Sequence, residues 1–397
     1  MKIAKPLLID IGSLAPGRTD QVLDVMYKAI GDPPGEDADI WHEHPSAFVR
    51  LLVELFTKRG LTRIAGIHAE LSAWLAGEKH NPSLRREPRP GEVARWTPAE
   101  LKLARLYLES LPRDQWTLDD WSLLIDCTVE RYMPTVVVRE EAQWLAAKAF
   151  MMGAVQAAMG TVTDPQAAVV VKHLPSSVDK AVDEFGLSKL QSSVLRYGAA
   201  RCAENVRNMG DAVRHRLRTV IMAHQEGVML GDKLATAHSL QTQLFDAFGS
   251  LNRDWRRIAV TEAGENANQG LIASLAPGAR VQRVERYAGA CPFCRKINGV
   301  IMRVASASDE TLDGDTQVWP GKTNIGRSAA PRKRVGDVLI ERSAAERWWV
   351  AAGVQHPHCR GTWLSLPGMT DVMTDADAAR QSRMDKWLSE LNLQDLK

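Results

Sequence analysis

The sequence predicts a mainly α chain: a multi-helix array, a small α+β module stapled by cysteine and histidine, and a C-terminal helical tail. Three observations predict it. Apolar residues recur at helical spacing along most of the stretch from residue 19 to about residue 275. After Pro277-Gly278 the period switches to two in ARVQRVERYAG, the strand pattern. Beyond the switch, Cys291-Pro-Phe-Cys294 and His356-Pro-His358-Cys359-Arg360-Gly361 gather three of the five cysteines into two short stretches. The implied layout is an N-terminal helical region at 1–78, a linker at 79–96 and a helical domain at 97–278. A metal-binding α+β module at 279–368 and a tail at 369–397 follow.

Composition narrows the class. A chain of 397 residues with 45% hydrophobic and 25% charged residues has ample length for real cores and an ordinary globular mixture. A net charge of +2 is too balanced for a protein that coats nucleic acid. The opening MKIAKPLLIDIG has lysines within it and Asp10 after its apolar run, a poor signal peptide. The most apolar stretch, 144–162, is interrupted by Lys148 and Gln156 and reads as a buried helix, not a membrane span. An odd, sparse set of cysteines argues against a disulfide framework and for thiolates on a metal in a reducing compartment.

The helices carry their own start and stop signals. Residues 19–30 and 45–58 have helical spacing, with Gly60 as the expected stop of the second. His42, Glu43 and His44 in WHEHP have no cysteine near them, so they read as a polar helix entry before Pro45 rather than a metal site. Residues 79–96 are rich in Pro and Arg; Arg85, Arg86 and Arg89 read first as a solvated linker. Thr97, Pro98 and Glu100 form a start signal, and Thr117 with Asp119 and Asp120 forms another. Cys127 and Cys202 fall on apolar stripes and read as core. The small residues of 139–159 favour close helix contact, and 160–186 reads as irregular. Residues 187–229 form one long helix with an apolar stripe through Val206, Met209, Val213, Leu217, Val220 and Ile221. Its arginines 207, 214, 216 and 218 lie mostly off that stripe.

The module is built differently. Two strands flank Cys291 and Cys294, and Asn298-Gly299 marks a turn, so the expected unit is a β-hairpin zinc knuckle. Residues 306–337 read as loop, ending in the basic run Arg332, Lys333, Arg334, the candidate nucleic-acid contact. A short helix is expected over 343–352, a strand in GTWLSLPG, and a tail helix whose Met384, Trp387, Leu388 and Leu391 need a docking place.

Cys-x-x-Cys sets two soft ligands on one turn, the usual first half of a tetrahedral zinc site. Cys291, Cys294, His356 and Cys359 would complete four ligands and make the zinc structural, because no position stays open for substrate. His356 is the expected histidine: three residues before Cys359, it reaches a common point through one tight turn. His358, the immediate neighbour of Cys359, points the other way in extended chain and is the substitute ligand. No H-E-x-x-H, Walker, nucleophile-elbow or dinucleotide motif occurs, so no catalytic residue and no enzyme activity is expected.

CPFCRKINGV followed by HPHCRG resembles the C-terminal module of the phage Mu F-like and SPP1 minor head proteins, the phage head morphogenesis family. RRIAVTEAGENANQG is similar to the helix that precedes the cluster in that family. The likeness covers about residues 190–366. Two positions depart from it: the family's last cysteine is Gly361 here, and its Arg before Thr-Glu is Val260. The resemblance implies a virion protein, made in the host cytoplasm and placed in several copies inside the head near the portal vertex. Its implied partners are portal protein and major capsid or scaffold protein, with packaged DNA as a further candidate and no membrane. The competing class is a metal-dependent nuclease or host-directed effector carrying the same module. A ββα-metal nuclease needs a His or Asn on a helix after the central His; past Cys359 only Asn392 remains.

Overall fold

The computed structural model describes residues 43–76, 96–366 without 113–114, 161, 306–308 and 310, and 375–391 with 393. The helix expected at 19–30, His42 and the linker at 79–95 lie outside the described residues. The described chain is a mainly helical array followed by a small mixed sheet region with a Cys/His cluster and a C-terminal helix.

It divides into two compact units. One comprises Thr57–Val137 and Arg207–Trp255. The other comprises residues 43–56, Val138–Val206 and the chain from Arg256 onward.

Helix α1 (Ala47–Leu75) runs straight through Gly60, which is not a stop. A Cβ at Gly60 would lie 2.1 Å from the Trp255 ring, so this glycine makes room for a neighbouring indole instead of ending a helix. α2 (Pro98–Ser110) and α3 (Leu118–Tyr132) start on full capping boxes, Thr97 with Glu100 and Thr117 with Asp120. Cys127 of α3 is buried against Leu101 and Ala104. In the same unit Trp116 stacks edge-on against Trp121 at 4.8 Å and tilts against Trp74 at 5.6 Å.

The long helix α7 (Lys189–Met229) buries Met209, Val213, Leu217 and Ile221, as its stripe requires, with Val220 at the margin. Its arginines face carboxylates on other helices. Arg214 donates to Glu130 at 2.8 Å, Arg218 to Asp126 at 2.5 Å, and Arg216 pairs with Asp254 at 2.9 Å.

In the second unit α4 (Thr135–Met159) is buried over Ala142–Val155 apart from Gln143 and Trp144, and no described helix is long and apolar enough to cross a membrane. Lys148 is tolerated there because its ammonium caps the end of α5 (Asp164–His173), donating to Leu174 O at 2.7 Å and to Val171 O. Small residues let α4 meet α8 (Ala237–Ser274) backbone to backbone. A Cβ at Gly153 would lie 1.9 Å from Ala267 O, and one at Gly270 would lie 1.9 Å from Phe150 O. The stretch 160–186 is not irregular. α5 starts at Thr163 with Gln166 closing a capping box, and α6 (Val178–Phe185) starts at Ser177 and ends on left-handed Gly186. The cap residues were present; the helices were too short for periodicity to reveal.

The sheet has the order β3-β2-β1-β6. β1 (Arg280–Val284) runs antiparallel to β2 (Ile301–Val304) and to β6 (Thr362–Leu366), and β3 (Gln317–Val318) runs parallel to β2. Its inner face packs Val281, Met302, Val304, Val318 and Trp363 on Leu271 and Ile272 of α8. The turn between β1 and β2 is no bare knuckle: it holds α9 (Pro292–Ile297), one and a half turns with Cys291 as N-cap. The basic run is not loop but β4 (Arg332–Val335), paired with β5 (Val338–Glu341) around Gly336-Asp337. The helix expected over 343–352 shrinks to one 3-10 turn, Ala344–Glu346, because Trp348 and Trp349 are drawn to other partners. Trp349 Nε1 donates to Thr323 O at 2.8 Å, and Trp348 stacks on the His356 ring at 5.6 Å. The tail helix α10 (Asp375–Glu390) docks Met384 and Trp387 in this unit, with Trp387 edge-on to Phe185 at 5.4 Å.

Candidate metal centre

The two cysteine stretches meet. Cys291 caps α9, so its Sγ accepts the Cys294 N–H at 3.4 Å, and one helical turn brings both sulfurs to one side. The second stretch is a tight turn, closed by Cys359 N–H donating to His356 O at 3.1 Å. Pro357 stands at its second position and His358 at its third, with φ +69°. That conformation suits a type II turn but is uncommon outside glycine. His358 N–H donates to Thr261 Oγ1 at 3.1 Å, which helps hold it there.

His356 Nε2 lies 3.3 Å from Cys291 Sγ and 3.2 Å from Cys294 Sγ. Cys294 Sγ lies 3.9 Å from Cys359 Sγ. A tetrahedral zinc with bonds of about 2.3 Å to sulfur and 2.0–2.1 Å to nitrogen would set these edges near ~3.5 Å and ~3.8 Å. Three donor–donor edges therefore match a metal site; Cys291, Cys294 and His356 stand together, Cys359 joins through Cys294, and this cluster could bind a metal ion. His356 Nδ1 is 2.7 Å from Pro357 O. A carbonyl only accepts, so Nδ1 carries the proton and Nε2 presents its lone pair to the sulfurs.

Two residues missed in the sequence lie against this centre. Arg283 and Glu285 are both fully buried and pair at 2.7 Å through Arg283 Nε and Glu285 Oε1. Arg283 Nη2 also reaches Cys359 Sγ at 3.6 Å. The signal was available: positions 281, 283 and 285 continue one alternation, buried through and just past β1, and two opposite charges on that side must find each other. The thiols are strongly unequal. The hydrogen bond that Cys294 donates to Cys359, with burial, pushes the Cys294 thiol far up. Burial opposes ionisation of Cys359 as well, but the Cys294 bond and Arg283 hold its thiol well below the ordinary range. Burial pushes the Glu285 carboxyl up to about 7 against the pull of Arg283.

Helix α8 carries the ligand turn on one face. Thr261, Glu265 and Asn268, spaced four and three apart, bond the backbone of the turn or of the residues flanking it. Glu265 Oε2 accepts Val354 N–H at 2.6 Å, and Asn268 Nδ2 donates to Gly361 O at 2.8 Å. Glu262 is a pairing residue: its carboxylate takes Arg201 at 2.9 Å and Asn205 at 2.9 Å on α7. Lys322 orders the long loop, donating to Gly314 O and Gln317 O at 2.7 and 2.8 Å between the Trp319 and Trp349 rings.

The other candidates do not join the donor set. His44 is buried, and its Nδ1 accepts Ser46 N–H at 3.1 Å. Burial, then Arg360, Arg50 and Arg283, push its pKa down to about 3, a setting that also repels a metal cation. Two residues of the basic run have acidic partners: Arg332 pairs with Glu341 at 2.7 Å and Lys333 with Glu346. Arg334 is exposed.

Comparison with protein-family models, with curated proteins and with solved structures finds no match.

Proposed function

We propose that this chain is a minor head protein of a tailed phage or prophage, acting in head morphogenesis near the portal vertex, with a structural zinc ion at Cys291, Cys294, His356 and Cys359. One observation carries the reading. The two segments that resemble the Mu F-like proteins form one working unit, the Thr261–Asn268 face of α8 bonding the backbone of His358 in the His-Pro-His-Cys turn and of Val354 and Gly361 on either side of it. When bound, the zinc supplies cross-linking: it ties the ends of the 291–359 segment together, and its binding free energy appears as folding free energy. The chain's own residues do the rest. Cys291 and His356 present donors from two preset turns, and α8 fixes one turn against the sheet. Four protein donors leave no site for water or substrate, which supports a structural role over the nuclease reading.

The proposed partners are portal protein and major capsid or scaffold protein, bound through the helical part, residues 97–275. Contact with packaged DNA would run through Arg332, Lys333 and Arg334. Co-expression with the cognate portal protein is expected to pull the chain down, and equal capture of a chain lacking 97–275 would refute that surface. Plasmid or single-stranded DNA incubated with Mg²⁺, Mn²⁺ or Zn²⁺ is expected to stay intact. Cleavage lost on changing His356 or His358 would favour the nuclease.

A further inference from the structure

More than four donor atoms converge at the centre. Cys291, Cys294 and His356 form one cluster with donors within 4.8 Å of one another, and Glu285, Cys294 and Cys359 form a second. The clusters share Cys294. A carboxylate is a competent zinc ligand and the preferred ligand of harder cations, so Glu285 competes with Cys359 for the same corner. Its oxygens lie 3.6 and 3.7 Å from Cys359 Sγ.

Arg283 decides that competition by its position. Every nitrogen of its guanidinium has a partner: Nε donates to Glu285 Oε1 at 2.7 Å, Nη1 to Gly353 O at 3.0 Å, Nη2 to Cys359 Sγ at 3.6 Å. Its carbon lies 5.2 Å from the centre of the Trp363 ring. The group is planar and keeps its charge, so it supplies fixed donors to both competitors at once. Gly361 completes the cradle, since a Cβ there would lie 2.1 Å from Glu285 Oε1.

We infer that Arg283 is a positioning residue that holds the Glu285 carboxylate out of the metal's coordination shell, leaving Cys359 to complete a three-sulfur, one-nitrogen site selective for soft, thiophilic divalent ions. The inference rests on the metal-centre reading above. Without Arg283, the carboxylate is free to displace Cys359, and the shell becomes a mixed oxygen–sulfur one.

The test uses the full chain loaded with Co²⁺, whose sulfur-to-cobalt charge-transfer absorption counts thiolates. Wild type and Glu285→Gln are expected to show the same three-thiolate band. Arg283→Gln is expected to lose about a third of that intensity per cobalt, one thiolate of three. Arg283→Gln combined with Glu285→Gln is expected to regain it. An unchanged band in Arg283→Gln overturns the inference. So does a weakened band in Glu285→Gln, which would make Glu285 a ligand. If Arg283→Gln does not fold, Arg283→Lys keeps the charge but loses the fork, and the same loss and rescue by Glu285→Gln are expected of it. A wild-type chain that takes up neither cobalt nor zinc removes the metal-centre reading itself. Uptake with the wrong variant pattern removes only the role of Arg283.

Discussion

Glu265 Oε2 accepts the backbone N–H of Val354 at 2.6 Å, so a carboxylate in the middle of a long helix fixes the approach to the ligand turn. The same carboxylate pairs with Arg201 at 3.3 Å and accepts from Gln269 Nε2 at 3.1 Å. Glu265→Ala would leave the half-buried Val354 N–H without its acceptor. Hydrogen bonds to a charged group are worth about 1.5–3 kcal/mol, and a loss of that size in urea denaturation is expected. Early proteolytic cutting within 306–366 is expected with it. A wild-type urea midpoint and cutting pattern would show that the bond does not hold the turn.

Two helical glycines should respond to alanine in opposite directions. At Gly60 the new methyl would sit 2.1 Å from the Trp255 ring, and Trp255 is fully buried. Overpacking of that kind costs about 1–3 kcal/mol and outweighs the ~1 kcal/mol gained in helix propensity. At Gly210 the nearest atom is Arg214 Nη1 at 3.6 Å, an ordinary contact, so Gly210→Ala should gain about 0.5–1 kcal/mol. Thermal midpoints of the two variants check this; a raised midpoint for Gly60→Ala would mean that the indole moves aside.

His44 gives acid sensitivity a definite source. Its folded pKa, pushed down to about 3 by burial and by Arg360, lies below the ordinary 6.5. The unfolded chain therefore binds the proton more readily, and stability is lost as pH falls from about 6.5 towards 3. At 1.36 kcal/mol per unit the loss amounts to roughly 3–5 kcal/mol. His44→Asn can still accept Ser46 N–H but does not titrate. It should flatten the stability–pH curve in that window relative to wild type, and parallel curves would clear His44.

The helical array and the Cys/His cluster were readable because their signals are local. Thr97, Thr117 and the two cysteine stretches each announce themselves within a few residues. What escaped is set by distance along the chain. Gly60 looks like a helix stop until Trp255 is placed beside it. Trp348 and Trp349 suggest a short helix until Phe293 and Thr323 claim them. Arg283 sits in a strand with alternating pattern and Glu285 follows its end, but their role depends on Cys359 more than seventy residues later. Thr261, Glu265 and Asn268 fall on one helix face, and only the folded turn explains why all three are polar.

If Arg332, Lys333 and Arg334 reach DNA, they must first give up the Glu341 and Glu346 pairs made by two of them. Binding through this strand is then weak and falls steeply with salt. Titration of duplex DNA at low and at physiological salt, with the triple change to Gln beside wild type, checks it. Binding that ignores salt, or that survives the triple change, would place the contact elsewhere.

The central claim is that His356, not His358, joins the three cysteines. The most direct measurement is bound zinc per chain in His356→Ala and His358→Ala. His356 Nε2 faces two sulfurs, whereas His358 occupies the left-handed position of the turn. His356→Ala is expected to lose zinc and to expose the region after Pro277 to protease; His358→Ala is expected to keep one zinc and stay protected. Zinc lost only in His358→Ala, or retained in full by both, would contradict the account.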